Sequence, residues 1–442
     1  MNIVYKVATY FVFAALGAPL SLIPAIGGDT AMFRGNPAHT GVYNAAGAPQ
    51  FHGVKWKFNA GGELYSSPAV ADGMIFIGST NGNLYAVDRE TGIQKWKFTT
   101  KGRIVSSPAV AAGVVYFVSY DSNLYAVEEF TGHQKWKFAT GGEKRFSAKH
   151  IHGMEPASEL MPDPFDFFLS SPLVANGAVY FGSSDGNVYS LDVATGARRW
   201  QFHTGDVVHA SPAVDGGVVF IGSWDTYFYA LDASSGKLLW RFKTGEDPVI
   251  HNQIGIQSSA AVADGMVYFG CRDSNVYALD VRTGAKKWVY GNKGSWVIGS
   301  PAISNGKLFF ATSDSALLHV VDAKSGAELF SIAMKWPMFS SPAVAGNLLY
   351  IGSHEGKLFA VDLSSQKNAW TFQTDASRQN GATYTTKDGT PAYEVAMPSF
   401  FYDDVVSGIQ KMFSVGAILS SPVIVGDTVY FGSADGNLYA LH

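Results

Sequence analysis

The sequence contains very little cysteine, and this scarcity removes several classes of site. Cys271 is the only cysteine among 442 residues, so the chain has no intramolecular disulfide and no thiolate metal cluster. It also lacks the Cys-x-x-Cys-His motif that attaches a haem. Because Cys271 stands where the other repeats described below carry serine or tryptophan, we interpret it as a small loop residue.

Charge of one sign and long apolar runs are scarce as well. Charged residues make up 15% of the chain and the net charge is −4, which argues against nucleic acid as a partner, since phosphate binding needs a clustered basic excess. A short basic start followed by apolar residues from Val7 to about Ala25 predicts a signal peptide over residues 1–27. A membrane anchor is the alternative, and no later apolar run is long enough to span a bilayer. We therefore expect a periplasmic or secreted protein.

What the sequence does contain is one short phrase repeated eight times. The phrase is Ser-Ser-Pro-Ala-Val or a close variant, and an aromatic residue follows it after 28 or 29 residues. The phrases are centred on Pro68, Pro108, Pro172, Pro212, Ala260, Pro301, Pro342 and Pro422, and the aromatic partners are Trp96, Trp136, Trp200, Trp240, Trp288, Phe330 and Trp370. Self-similarity with a period of about 40 residues is typical of an array of small β units.

Each unit reads as four short antiparallel strands. In the first unit, Asp72-Gly73 separates two apolar runs, and such a pair strongly favours a tight hairpin. Units of this kind bury their faces by stacking radially, which predicts an all-β, eight-bladed β-propeller. The eighth unit ends at His442 after its third strand, and the missing aromatic strand is found around Trp56. We therefore predict an N-terminal segment over residues 28–52 and a propeller over 53–442, closed by an N-terminal outer strand.

The turn and aromatic strand of these units resemble the tryptophan-docking repeat of quinoprotein-type, PQQ-like propellers. The pattern runs from Asp192 to Trp200 and recurs from Asp232 to Trp240. The resemblance implies that eight aromatic residues dock against the neighbouring blade, namely Trp56, Trp96, Trp136, Trp200, Trp240, Trp288, Phe330 and Trp370. The family includes PQQ-dependent alcohol dehydrogenases, outer-membrane assembly scaffolds and sensor domains, so the resemblance specifies the fold more closely than the function.

The same resemblance raises a cofactor, PQQ with a calcium ion. The dehydrogenases typically hold the quinone between a tryptophan and a disulfide of adjacent cysteines, and a chain with Cys271 alone cannot build that clamp. The assembly scaffolds are lipoproteins with a cysteine at the mature N-terminus, which is also missing here. The cofactor is therefore left unassigned.

Three junctions between units are much longer than the usual 12 or 13 residues. These insertions cover residues 139–169, 243–259 and 373–419. All three join the fourth strand of one blade to the first strand of the next, so we expect them on one face, around the mouth of the central channel. Function in repeat proteins is often carried by insertions of this kind.

Polar and aromatic residues of the insertions and of the facing loops are candidates for ligand binding, in solvated positions around the channel mouth. They are His150, His152, His209, Trp224, His251, Asn252, Arg272 and His354. His150 and His152 could share one side of an extended segment, but no acidic or cysteine partner at fixed spacing accompanies them, so no metal site is assigned. No nucleophile–base motif is found, and no catalytic residue is assigned.

Three functions are compatible with this sequence. The first is an exported, monomeric propeller whose rim binds a protein, glycan or small molecule without chemistry. The second is a quinoprotein oxidoreductase with Trp224 as a stacking platform and Arg272 as a carboxylate partner. The third is a polysaccharide lyase in which a rim histidine acts as base and Arg272 neutralises a uronate. The missing nucleophile–base motif favours the first.

Overall fold

The computed structural model describes residues 31–246 and 254–442. The predicted signal peptide therefore lies outside the described residues. The repeats form eight antiparallel sheets that follow one another in chain order, which confirms the eight-bladed β-propeller. Within the described part of the chain, no helix has the length and hydropathy needed to cross a membrane.

Each blade has a short inner strand, two central strands and an outer strand. Blades one to four consist of Ala69–Ala71, Met74–Gly78, Asn83–Asp88 and Gln94–Thr99; Ala109–Ala111, Val114–Ser119, Asn123–Glu128 and Gln134–Ala139; Leu173–Ala175, Ala178–Gly182, Asn187–Asp192 and Arg198–His203; and Ala213–Asp215, Val218–Gly222, Tyr227–Asp232 and Leu238–Lys243. Blades five to seven consist of Ala261–Ala263, Met266–Gly270, Asn275–Asp280 and Lys286–Gly291; Ala302–Ser304, Lys307–Ala311, Leu317–Asp322 and Glu328–Ala333; and Ala343–Ala345, Leu348–Gly352, Lys357–Asp362 and Lys367–Gln373. The central strands are almost entirely buried.

Blade eight closes the ring in the predicted way. Its strands Val423–Val425, Thr428–Gly432 and Asn437–Leu441 are completed by Val54–Asn59 from the N-terminus. Trp56 is paired with Ala440 in this antiparallel register. The C-terminal strand therefore forms its hydrogen bonds with a strand from near the N-terminus, which completes the four-stranded sheet.

The remaining elements belong to the N-terminal segment and the insertions. Val42–Tyr43 adds a parallel strand to the inner edge of blade seven. The first insertion contains the hairpin strands Ser147–Lys149 and Leu160–Pro162 and a 3₁₀ turn at Ile151–Gly153. The third contains helix α1 (Asp375–Asn380), a 3₁₀ turn at Gly381–Tyr384, helix α2 (Tyr393–Ala396) and helix α3 (Tyr402–Phe413).

Local chemistry accounts for the turns inside each blade. Asp72 and Gly73 have φ values of 44° and 77°, the pair of left-handed residues that a two-residue hairpin turn of the right twist requires. Asp and Gly tolerate this region better than other residues. The sequence signal at this turn thus has a direct backbone cause.

The Ser-Ser-Pro phrase has a structural reason that the sequence does not reveal. In each phrase, one serine stands directly before the central residue. Its backbone N–H donates to the hydroxyl of the equivalent serine in the next blade, as from Ser67 to Ser107 over 3.0 Å. The last bond, from Ser421 back to Ser67 over 2.9 Å, closes the circle. This serine ring comprises Ser67, Ser107, Ser171, Ser211, Ser259, Ser300, Ser341 and Ser421. It fixes all eight inner strands at one level of the channel.

The outer tryptophans contact the following blade. Trp200, for example, donates from Nε1 to the carbonyl of Ala233 over 3.0 Å. A Cβ at Gly236 would lie 2.7 Å from the Trp200 ring, so the Ser/Thr-Gly turn keeps room for the indole. Six tryptophans make such a bond to the following blade, namely Trp56, Trp96, Trp136, Trp200, Trp240 and Trp288. Trp370 of blade seven donates instead to the carbonyl of Ala48 in the N-terminal segment over 2.7 Å.

The N-terminal segment crosses the channel, which the sequence did not indicate. Inner-strand N–H groups donate to its carbonyls, from Val110 to Ala31 and from Val214 to Pro37, each over 2.7 Å. The same pattern continues to blade seven, where Val344 donates to Gly41 over 2.9 Å. In each inner strand these valines follow the serine of the ring. They therefore lie farther from the insertions than the ring does. The segment therefore closes the channel at the end opposite the insertions.

Candidate functional site

The insertions contact one another on one face of the propeller, called here the insertion face. Glu155 of the first insertion donates its N–H to Phe400 of the third over 3.0 Å and accepts from Tyr402 over 2.9 Å. Gln257 of the second insertion donates to the carbonyl of Phe165 over 3.4 Å. These residues are far apart in sequence but lie on one face. The reason is that the four strands of each blade return the chain to the same face at every junction.

Arg272 lies in the channel mouth but is not accessible there, contrary to expectation. Its side chain is 1% exposed, and Nη1 lies 3.0 Å from Oδ2 of the fully buried Asp163. The guanidinium carbon lies 4.7 Å from the ring centre of Trp224 and 4.5 Å from that of Trp296. Burial acts to raise the pKa of Asp163, but Arg272 and His152 overcome it and lower the pKa to about 2. The first insertion thus brings a carboxylate to a cation that the blades hold in place.

His209 is buried in a second charged contact with the same insertion. Its Nδ1 lies 2.7 Å from Oδ1 of Asp166, and its Nε2 lies 2.7 Å from the Ser184 hydroxyl. That hydroxyl donates to Glu143 over 2.7 Å, so His209 donates from both ring nitrogens. Burial acts to lower the pKa of His209, but Asp166, Glu143 and Asp206 raise it above its usual value.

This arrangement resembles the geometry of a serine–histidine–aspartate triad, yet it is unsuited to that chemistry. A general base needs a nitrogen that is free to accept a proton, and both ring nitrogens of His209 are engaged in hydrogen bonds. Ser184 is 2% exposed and His209 is 2% exposed, so an external substrate cannot reach the hydroxyl. A uronate is likewise kept from Arg272. The buried contacts therefore do not support the lyase interpretation of the rim.

His150 and His152 do not share one side of an extended segment, which corrects the expectation for this pair. Both have left-handed backbone, with φ values of 50° and 55°; His150 precedes the 3₁₀ turn Ile151–Gly153 and His152 lies within it. His150 is half exposed, whereas His152 is buried with Nε2 at 3.1 Å from Oδ1 of Asp163. Within residues 31–246 and 254–442, no group of three His, Cys, Asp or Glu side chains is arranged to hold a metal ion. His251 and Asn252 lie outside the described residues.

The channel mouth does not fit the quinone that the resemblance to the dehydrogenases raised. Trp224, the expected platform, is 1% exposed. Phe146 of the first insertion stacks on it with ring centres 4.4 Å apart and planes 13° apart. Arg272, the expected carboxylate partner, is held by Asp163. Cys271 is buried, and burial raises the pKa of its thiol well above the usual value.

Beside the closed mouth lies an open groove, called here the lateral groove, with a volume of about 490 Å³. The first insertion, helices α2 and α3 and the loops of blades five to seven form its walls. Its apolar lining includes Met154, Phe165, Trp296, Phe339, Tyr393, Met397, Phe400, Val405, Ile409, Met412 and Phe413. Lys293 and Asp314 add one charge of each sign. The volume falls in the range of ligand-binding pockets.

Helix α3 forms one wall because its sequence is amphipathic. Val405, Ile409 and Met412 recur at helical spacing and are buried, whereas the intervening residues Gln410 and Lys411 are exposed. Asp403 and Asp404 stand in the first turn, where negative charge is favourable to the helix dipole. The period of this pattern was readable in the sequence, but its partner surface was not.

His354 lies in the wall of the lateral groove and is the one predicted site residue found there together with His152. It is 5% exposed, and its Nε2 has no hydrogen-bond partner in the described part of the chain. Its ring meets Phe339 and Phe413 edge-on at 4.3 Å and 5.0 Å. Burial lowers the pKa of His354 to about 3, so the ring is neutral at physiological pH and presents an unused polar atom to an apolar groove.

The exposed apolar residues of the insertions were not among the predicted site residues. Phe400, which lines the groove, is 76% exposed. The adjacent Phe401 is 59% exposed, and Val395 of helix α2 is 55% exposed. The aromatic run Phe400-Phe401-Tyr402 was visible in the sequence, but apolar runs in insertions are often buried. Solvent exposure of such a run is the signal that singles it out, and only the fold supplies it.

Comparisons with known proteins agree with this fold. The family model described as outer membrane protein assembly factor BamB matches residues 52–201, 168–371 and 292–406. A curated relative, the outer membrane protein assembly factor BamB of Moranella endobia (strain PCIT), is 24% identical over 152 residues. That match covers 31% of this chain and 39% of the relative's length.

Solved structures show the same architecture at low identity. BamB from Moraxella catarrhalis superposes with a TM-score of 0.64 at 15% identity, covering 88% of this chain and 99% of that one. A europium-containing methanol dehydrogenase superposes with a TM-score of 0.68 at 15% identity, covering 94% and 98%. These likenesses show the fold alone, whereas the family model spans most of the sequence. The chain belongs to the family of the outer membrane protein assembly factor BamB.

Proposed function

We propose that this protein is a binding scaffold that holds an extended, aromatic-containing segment of a protein partner in the lateral groove. The observation that carries the proposal is the exposure of Phe400 at an open apolar groove, next to the exposed Phe401. Exposed aromatic clusters of this kind mark interaction sites on soluble domains. No chemistry is proposed, because the ionisable residues at the channel mouth are buried and paired.

The lining favours a partner of variable sequence. Met154, Met397 and Met412 contribute flexible thioethers, which adapt to side chains of different shape and contact aromatic rings favourably. Lys293 and Asp314 provide one positive and one negative contact at the groove. An extended strand with alternating aromatic and polar residues matches both features, since its aromatic side chains enter the groove and its polar side chains remain outside.

The family indicates where such a partner arises. Relatives are named outer membrane protein assembly factors, and outer-membrane strands alternate apolar and polar residues. We propose that the partner is a polypeptide of that assembly process. The signal peptide predicted over residues 1–27 supports a periplasmic location, where the protein would meet such a partner.

The test uses a fluorescent peptide of alternating aromatic and polar residues and the variant Phe400→Ser. We expect Phe400→Ser to weaken binding about tenfold, the loss of about 1.4 kcal/mol that truncating one anchoring aromatic produces. Phe130→Ser is the matched control, because Phe130 is 64% exposed but lies in a turn on the opposite face. Fluorescence anisotropy measures both affinities.

Two outcomes of this titration contradict the proposal. The first is equal binding by Phe400→Ser and by Phe130→Ser. The second is equal binding of the peptide and of a control peptide whose aromatic residues are replaced by serine. Either result removes the lateral groove as the site of recognition.

A further inference from the structure

The channel contains a small enclosed cavity between the two segments that close its ends. Its volume is about 40 Å³, and a single buried water occupies about 10–15 Å³ on the same measure. Phe33 of the N-terminal segment and Phe168 of the first insertion lie at its two ends. All eight members of the serine ring line it. The eight hydroxyls thus form a polar belt in a cavity whose other lining residues include His209, Gln257 and apolar side chains. The cavity is large enough for a monatomic ion with water.

The serine ring offers hydrogen-bond donors to this cavity. Each ring hydroxyl accepts one backbone N–H from the neighbouring blade, as Ser341 does from Ser300 over 2.9 Å. In residues 31–246 and 254–442, no protein acceptor is found for the proton of any of the eight hydroxyls. A cavity lined by unused donors favours an occupant that accepts hydrogen bonds.

Arg34 places a positive charge close to the cavity, although it is not one of the lining residues. Its Nη2 donates to the carbonyl of Pro301 over 3.0 Å, and Pro301 directly follows Ser300 of the ring. The neighbouring Phe33 lines the cavity itself. Arg34 is 1% exposed, so water from outside does not solvate its charge.

This arginine lacks the counter-charge that the other buried arginine has. Arg272 is paired with Asp163, whereas no carboxylate contacts Arg34 in the described part of the chain, and its Nε and Nη1 have no hydrogen-bond partner there. Burial lowers the pKa of Arg34 to about 10, which leaves it charged at physiological pH. An uncompensated buried charge is costly, because its hydration is lost and nothing replaces it.

Two neighbours leave further polar atoms unused without supplying negative charge. The Tyr43 hydroxyl and His39 Nδ1 are buried and have no partner in residues 31–246 or 254–442. Burial raises the pKa of Tyr43 to about 12, so the hydroxyl keeps its proton. Burial and the charge of Arg34 lower the pKa of His39 to about 3, so that ring is neutral. The cluster can donate hydrogen bonds but cannot neutralise the guanidinium.

We propose that the channel binds a small inorganic anion of chloride size within the serine ring, close to the buried charge of Arg34. The anion supplies the missing negative charge and accepts the unused hydroxyl protons. Because the N-terminal segment and the first insertion close the channel ends, the anion is enclosed on folding and couples these two segments to the blades. This site is separate from the lateral groove and does not depend on the function proposed for it.

The test is a crystal structure of the full protein purified and crystallised with bromide replacing chloride. We expect an anomalous bromide peak in the cavity, within hydrogen-bonding distance of ring hydroxyls. Density that contains only water there, with no anomalous signal, overturns the proposal. This measurement needs no variant, so it does not depend on whether a substitution folds.

A second measurement compares melting temperatures in chloride and in gluconate at equal ionic strength. An anion that binds only the folded state raises the melting temperature with its concentration, and gluconate is too large for the cavity. We expect the wild-type protein and the exposed control Arg198→Met to melt higher in chloride, and Arg34→Met to show no difference. A chloride effect of the same size in Arg34→Met overturns the assignment of that residue.

Discussion

The channel mouth and the lateral groove are neighbours on the insertion face, and the same insertions build both in opposite ways. At the mouth, Asp163 and Asp166 are buried against Arg272 and His209. At the groove, Phe400 is largely exposed and the walls are apolar. The ionisable residues that looked reactive in the sequence are thus buried in structural ion pairs. The residues that a partner can contact are apolar. The difference favours recognition over catalysis.

The largest expected effect comes from breaking the mouth at Arg272. Arg272→Met leaves Asp163 buried without its guanidinium, and removing one partner of a buried ion pair costs about 3–5 kcal/mol. Chemical denaturation measures the free energy of unfolding. The double variant Arg272→Met/Asp163→Leu should recover part of the loss, because no uncompensated charge remains.

A small effect of Arg272→Met would contradict the comparison. A change in the free energy of unfolding below about 0.5 kcal/mol is the size found for exposed positions. Such a result would mean that Arg272 is exposed to solvent at the channel mouth, as the sequence suggested.

The next largest effect is the loss of stability in acid that His354 of the lateral groove causes. His354 has a folded-state pKa of about 3, below the value of about 6.5 in an unfolded chain. Because the unfolded state takes up a proton first, stability falls as the pH drops below about 6.5, by about 2 kcal/mol at pH 5. The variant His354→Met should lose that part of the acid slope in denaturation curves at pH 7 and pH 5. An unchanged slope would show that His354 is solvated.

The mouth should respond with the opposite sign. His209 has a raised folded-state pKa, so its contribution to stability is complete below the unfolded value of about 6.5 and is lost as the pH rises through the folded pKa. Asp166→Asn removes the main cause of that rise and should flatten the alkaline decline relative to wild type. A decline of equal steepness in both proteins would mean that Asp166 does not hold the charge of His209.

The smallest effect on stability is expected at the groove edge. Phe400→Ser changes an exposed side chain, so the free energy of unfolding should stay within about 0.5 kcal/mol of wild type. Thermal and chemical denaturation check this for the same variant whose binding is tested. A larger loss would show that Phe400 packs against the third insertion, and would make any loss of binding indirect.

Much of the fold could be predicted because its signals are local and repeated. The turn residues of the kind found at Asp72 and Gly73, the apolar central strands and the spacing from phrase to aromatic residue recur in unit after unit. The closure through Trp56 followed from counting strands, and the structure confirms the eight-bladed ring. The candidate site was predicted less well. The shared insertion face followed from topology, but burial of His209, Trp224 and Arg272 did not.

The sequence by itself determined the blade, the number of blades and the face that carries the insertions, since hydrophobic period, turn residues and strand count act within a few tens of residues. Only the tertiary structure decided which polar residues are exposed to solvent and which are buried in contacts with other residues. Asp163 contacts Arg272, which is 109 positions away in sequence. Ala31 of the N-terminal segment accepts a hydrogen bond from Val110 of an inner strand. No spacing rule encodes such meetings, because they depend on how inserted segments without a repeat pack onto a surface that the repeats create.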